Sequence, residues 1–300
     1  MLKGLLTMFL ISSLAHPGLT IDAEKQQAST KMQSEISIIH VTPYPVKKEN
    51  VEPLSLEAKA AMTIDFRSGA KIYEKNIHEK LQIASITKLM TAIIISEEES
   101  GEEKIKVSRK AANTPGSKIW LYPGEIITAG NLLEALLIHS ANDAAVALAE
   151  YNAITEEEFV KKMNEKAEKI GLKETHFMNS TGLDNDENYS TAWDISLLAT
   201  YAYKKARIRE LVSRSEGKIR SVDGSITHDL KTTNEILGGP FNVVGLKTGN
   251  TILAGPSFVS VAKGPNPSLR QEVITVVLNS PQRFAETSKL LEWTYNAYSW

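Results

Sequence analysis

The sequence predicts an α+β fold, an antiparallel sheet flanked by helices with a mostly helical subdomain set into it. Strand-like segments lie at the two ends of the folding region, within Ala60–Glu74 and again from Gly217 to Leu278. Roughly residues 100–215 between them carry helical periodicity. A closing stretch from about Pro281 to Ser299 reads as a final helix. Strands, helices, then strands again is the order of a segregated fold, not of alternating β-α-β units.

The composition suits a folded chain with a sizeable core: of 300 residues, 42% are hydrophobic and 23% charged. A formal net charge of −2 and the lack of a basic block give no electrostatic case for a nucleic-acid partner. Cysteine is absent, which excludes thiol catalysis, disulfides and thiolate metal sites. The histidines (His16, His40, His78, His139, His176, His228) show no metal-ligand spacing, and no Gly-x-Ser-x-Gly elbow supports a Ser-His-Asp triad. No cofactor or metal is expected.

Taken in order, Met1–Ala15 resembles a secretory signal: Lys3, an apolar run over Leu5–Leu14, and Ser13-Leu14-Ala15 as a small-x-small cleavage site. The run is short for a bilayer span. Residues 16–53 are polar and proline-dotted, an extended lead-in, with Ile36–Val41 as an optional sheet-edge strand. The main domain is expected over 54–300. Ala60–Phe66 and Lys71–Glu74 flank Arg67-Ser68-Gly69-Ala70 as a hairpin. Lys104–Ile127 has little periodicity, with Pro115-Gly116 and Pro123-Gly124 marking loops. Helices follow at Ala129–Ile138, Ala144–Tyr151 and Glu156–Ile170, the last closed by Gly171. Thr191 with Asp194 forms a capping box for a helix to about Lys205. Asp223-Gly224 turns a hairpin between Gly217–Val222 and Ser225–Leu230. Three more strands are expected at Val243–Thr248, Pro256–Ala262 and Glu272–Leu278, with Gly264-Pro265-Asn266-Pro267 turning between the last two.

The chain is organised around Ile83–Ile95. Ser85 and Lys88 stand three apart, neighbours on one helix face, and a helix N-terminus places unsatisfied N–H groups and partial positive charge near Ser85. The residues after Lys88 are apolar nearly all round, as in a helix threaded through a core, although Ile93-Ile94-Ile95 also suits a strand. Ser-x-x-Lys recurs at Ser68–Lys71, Ser215–Lys218 and Ser260–Lys263, so spacing alone does not single out Ser85. Two further elements each occur once: Ser140-Ala141-Asn142, at a break between helices, and Lys247-Thr248-Gly249, ending an apolar strand where glycine permits close approach of a ligand.

In this order the three elements resemble those of the serine D-alanyl-D-alanine carboxypeptidases, the low-molecular-weight penicillin-binding proteins. The likeness runs from about Leu54 to the C-terminus and includes Thr181-Gly182-Leu183-Asp184 and Tyr189-Ser190-Thr191-Ala192. It implies the penicillin-binding protein/β-lactamase-like transpeptidase fold and a peptidoglycan stem peptide ending in D-Ala-D-Ala as substrate. It further implies Ser85 as nucleophile, Lys88 as its base in neutral form, and Ser140 as proton relay. Asn142 would hold the substrate amide and Lys88; Lys247 and Thr248 would hold the terminal carboxylate, and Gly249 would permit close approach of the ligand. Backbone N–H groups of Ser85 and Asn250 would receive the oxyanion. β-Lactams would acylate Ser85. Asn250 replaces the histidine of many members, an exchange expected to touch specificity because the backbone is the working part.

The resemblance also implies export to the periplasm or cell-wall space of a bacterium. Many members carry an extra β-rich domain and an amphipathic anchor; with Trp300 directly after the closing helix, neither is expected here, and Trp293, Tyr295, Tyr298 and Trp300 are expected to pack on the sheet and not on a membrane. A D,D-endopeptidase would use the same residues on cross-linked muropeptides. A class A β-lactamase is disfavoured, because the stretch nearest its Glu-x-x-Leu-Asn element has Val160 in the glutamate position. A non-catalytic peptidoglycan-binding homologue would have no need of a base beside a serine.

Overall fold

A computed structural model describes residues 44–266 and 271–300. The signal-like segment, the optional strand at Ile36–Val41 and Pro267 of the expected turn lie outside them. The first element, β1 (Val46–Lys47), belongs to the stretch read as lead-in, and it pairs with the last strand of the chain. Next come β2 (Ala60–Asp65), β3 (Lys71–Lys75) and β4 (Leu81–Gln82). A 3₁₀ turn at Ala84–Thr87 runs directly into α1 (Lys88–Glu98). Then follow β5 (Lys104–Lys106), α2 (Arg109–Asn113), β6 (Ile126–Thr128), α3 (Ala129–Ile138), α4 (Asn142–Ala153), α5 (Glu156–Lys169), β7 (Tyr189–Ser190), α6 (Ala192–Lys204) and α7 (Ala206–Val212). The remainder is β8 (Glu216–Arg220), β9 (Thr227–Lys231), β10 (Val243–Gly249), β11 (Ser257–Lys263), β12 (Glu272–Leu278), α8 (Arg283–Ala297) and β13 (Tyr298–Ser299).

The principal sheet has the order β10-β11-β12-β2-β3, with every neighbour antiparallel. Strand periodicity sends alternate residues to opposite faces. Ile274, Val276 and Leu278 join the large core that also holds α1, while Val273 and Val277 join smaller clusters beneath α8. One sheet face is therefore covered by α6 and the other by α8. The C-terminal aromatics pack as expected. Tyr295 Oη donates to Ala262 O, Tyr298 Oη to Ile72 O and Trp300 Nε1 to Asp65 Oδ2.

Helices start where the side chains allow. Thr128, Thr155 and Thr191 each accept a backbone N–H three residues on, at the heads of α3, α5 and α6. Asp223 closes the β8–β9 hairpin by accepting from Ser221 and Ser225, with Gly224 at φ +73. Three expectations need correction. Residues 104–127 contain β5, α2 and β6, elements too short to show a period. Residues 206–212 form a further helix, α7, behind the predicted end of α6. The closing helix stops at Ala297, because Tyr298–Ser299 turn into the strand that pairs with β1.

α1 is the centre of the molecule. Lys88 through Ile95 are all buried, and the helix packs on α3, α4, α5, α6 and α7. Ile93-Ile94-Ile95 is helical, since partners on all sides outweigh the modest helix penalty of β-branched residues. Ile93→Ala should lower unfolding free energy by about 2–5 kcal/mol, the range for emptying a closely packed aliphatic site. Urea denaturation measures this, and a loss below about 1 kcal/mol would mean that the site is not closely packed.

Candidate active site

Ser85 lies in the 3₁₀ turn ahead of α1, and Lys88 is the first residue of the helix itself. The turn keeps the expected spacing. Lys88 Nζ stands 2.9 Å from Ser85 Oγ, 2.5 Å from Asn142 Oδ1 and 2.6 Å from Thr181 O. A neutral amine has two hydrogens and a lone pair. With Asn142 and Thr181 accepting those hydrogens, the lone pair is left facing the Ser85 hydroxyl.

Burial favours that neutral form. Lys88 is fully enclosed, and its pKa falls well below the ordinary lysine value, chiefly from lost hydration and then from the Lys247 charge, against an opposing pull from Asp143. Lys247 is itself lowered to about 7, by burial first and then by Arg283. Both folded pKa values lie below the unfolded ones, so the unfolded chain holds protons that the folded chain releases. The stability contributed by these lysines therefore rises as pH climbs from about 7 towards 10.5.

Each predicted residue has a defined place. Ser140 adopts φ +63 between α3 and α4, and its Oγ accepts from Lys247 Nζ at 2.7 Å. Asn142 is fixed on its far side, where its N donates to Ser117 O and its Nδ2 to Pro115 O. Thr248 Oγ1 lies 2.6 Å from Thr233 Oγ1. A side chain at Gly249 would come within 2.7 Å of Ile83 O, so the end of β10 abuts the residues just before Ser85, and Asn250 follows directly. The other Ser-x-x-Lys pairs are structural. Ser68 bonds Asp65, Lys71 pairs with Glu74, Lys218 pairs with Asp229, and Ser260 meets Thr275. Val160 packs against the main core from α5.

Three contributors were not identified from sequence. Thr181 acts through its carbonyl, which leaves no mark on residue type. Gly182 gives that loop its approach, since a Cβ there would sit 1.9 Å from Ala84 O. Arg283 opens α8 and donates from Nη1 to Gly249 O at 3.0 Å, which places a second cation behind Lys247. Among the described residues no group of His, Asp or Glu could hold a metal ion.

Comparison with known proteins identifies relatives of the chain. Residues 47–282 match the family described as D-alanyl-D-alanine carboxypeptidase. The chain is 37% identical over 252 residues to D-alanyl-D-alanine carboxypeptidase DacF of Bacillus subtilis, covering 82% of this chain and 64% of that protein. It is 32% identical to DacC of Escherichia coli over 84% of this chain and, again, 64% of the relative. It thus spans a little under two thirds of the length of these curated relatives. Among solved structures, the Streptomyces K15 DD-transpeptidase superposes with a TM-score of 0.76 at 27% identity, over 82% of this chain and 100% of that one.

Gly182→Ala should force Ala84 and Thr181 apart and pull the carbonyl from Lys88. Labelling by a fluorescent penicillin is expected to fall at least about tenfold, the scale of a small misplacement near the chemistry, while the far-ultraviolet circular dichroism persists. Full labelling would mean that the loop's approach is dispensable.

Proposed function

The chain belongs to the D-alanyl-D-alanine carboxypeptidase family, and on that premise we propose that it is a serine D,D-carboxypeptidase, removing the terminal D-alanine from peptidoglycan stem peptides. One observation carries this reading: a fully buried amine, its pKa lowered well below the ordinary lysine value by burial and a second cation, stands 2.9 Å from a serine hydroxyl. A buried lysine kept charged for structure alone would be expected to hydrogen-bond a carboxylate. Its hydrogen-bond partners here are a carboxamide, a carbonyl and the serine itself.

In this mechanism the substrate's terminal carboxylate docks at Lys247 and Thr248, supported by the Arg283 charge. Ser85 Oγ attacks the penultimate carbonyl carbon as Lys88 takes its proton. The backbone N–H groups of Ser85 and Asn250 receive the oxyanion; one such donor is typically worth about 10²–10³ in rate. Ser140, bonded to Lys247, gives its hydroxyl proton to the departing amine as the C–N bond breaks and regains one from Lys88, which leaves Lys88 neutral again. Free D-alanine leaves behind an ester on Ser85. Water, deprotonated by Lys88, then hydrolyses the ester. A β-lactam enters by the same attack, its ring amide standing in for the scissile bond.

The setting follows from the substrate, the cell-wall space of a bacterium, reached by way of the signal-like N-terminus and serving peptidoglycan maturation. Among the described residues no helix is long and apolar enough to cross a membrane.

The decisive assay incubates the protein with a pentapeptide stem and, separately, with a cross-linked dimer, and follows the products by mass spectrometry. Release of D-alanine from the pentapeptide is expected. Loss of dimer alone would make it an endopeptidase, and no product from either would leave a binding protein. Ser85→Ala should abolish penicillin labelling, and retained labelling would place the nucleophile elsewhere. pH supplies a separate test. Removing the Lys247 charge relieves the depression of Lys88, so Lys247→Gln should move the ascending limb of the acylation–pH profile to higher pH, in addition to any loss of rate. An unmoved limb would show that the two amines do not communicate.

A further inference from the structure

The loop that buttresses Asn142 continues into an unusual display. Trp120 is 70% exposed at φ +64, between Ile119 and Leu121, which are buried. A bulky residue in the left-handed region costs energy and persists only where the surroundings impose it. Here they do. The carboxylate of Asp143, buried in α4 beside Asn142, accepts the N–H of Ile119 at 3.2 Å and of Leu121 at 3.1 Å, one on each side of the tryptophan. Buried His228 of β9 bridges Ile119 O and the Glu125 carboxylate, which also accepts the Tyr122 N–H. Three buried polar groups thus pin the four-residue arc Ile119–Tyr122 so that Trp120 and Tyr122 face outwards.

The aromatics border a groove of about 350 Å³ between this arc and β9, with Lys118, His139, Thr227 and Asp229 along it. Lys118 Nζ lies 4.3 Å from the indole centroid, which steadies the ring from one side. Its size falls within the range of small-molecule sites. An open indole face among mixed hydrogen-bond donors and acceptors suits a ring that is apolar on its faces and polar at its edge, as a pyranose is. The arc is tied to the candidate active site through the chain, since the carbonyl of Ser117, three residues before Trp120, accepts from Asn142 N. Three residues reach at most about 11 Å. The four residues of a stem upstream of the cleaved bond span about 13 Å when extended, which brings the sugar at their head to the same neighbourhood.

We propose that Trp120 is a substrate-docking residue that stacks on the amino sugar bearing the stem peptide, so that the protein favours glycan-attached stems over free ones. This deepens the carboxypeptidase reading and rests on it.

The test compares release of D-alanine from a free pentapeptide and from the same pentapeptide on its disaccharide. The wild-type protein should show a kcat/KM ratio of roughly 3–10 in favour of the disaccharide form, the span of one aromatic contact. Trp120→Ala should bring the ratio to parity, and Trp120→Phe should restore most of it. Parity in the wild-type protein, or equal losses on both substrates in Trp120→Ala, would overturn the proposal. A second measurement does not depend on turnover. In Ser85→Ala protein titrated with the peptide-free disaccharide, the indole N–H signal missing from Trp120→Phe should shift. If neither substrate yields D-alanine, that shift still decides for the platform and its absence against it, while the carboxypeptidase reading fails separately.

Discussion

One electrostatic constraint governs the molecule: two lysine amines are buried, Lys88 within the field of Lys247 and Lys247 within that of Arg283, and neither has a carboxylate hydrogen-bonded to it. In water both would be charged. Here lost hydration penalises the charge on each, and the field of Lys247 disfavours it further on Lys88. The Asp143 carboxylate is near enough to pull the other way, yet its hydrogen bonds go to backbone N–H groups. The acid that would most simply stabilise an ammonium at Lys88 is therefore committed elsewhere. What remains is an amine biased towards its uncharged form, one that lysine rarely takes in solution.

The architecture makes this arrangement possible. A lysine on an ordinary amphipathic helix would extend its amine to solvent. α1 offers no such route, because it is packed on nearly every side and its first turn opens into the interior between the sheet and the helical part. The second cation arrives on β10, the strand at one end of the sheet order, whose last residues press against the turn that holds Ser85. Two glycines permit the meeting, Gly249 on the strand and Gly182 on the loop that brings the Thr181 carbonyl. Helix, strand and loop converge where a single Cβ would keep them apart.

Much of this was legible in the sequence where the signal is local. The turn chemistry of Arg67–Ala70 and Asp223-Gly224 marked real hairpins, and α3 occupies the predicted Ala129–Ile138. The three short motifs drew attention to Ser85, Lys88, Ser140, Asn142 and Lys247, which the fold gathers into two hydrogen-bonded groups coupled through the lysines. What escaped notice depends on long-range geometry. Arg283 meets Gly249 only because α8 begins beside the end of β10. The outward face of Trp120 depends on carboxylates from α4 and the loop itself, so residues 104–127 looked patternless although they are firmly held. β1 and β13 are too short to carry any period of their own.

That last pairing has a topological consequence. Val46 sits opposite Ser299, and the Lys48 N–H bonds Ala297 O, so the described chain closes on itself almost as a ring. Because Val46 and Ser299 are strand partners, a short linker could join the chain there and a new opening could be cut at an exposed turn such as Asp223-Gly224. Such a circular permutant would retain the strand order of the sheet and the meeting of Lys88 with Lys247. The geometry of the site belongs to the closed circuit, whichever residue happens to come first.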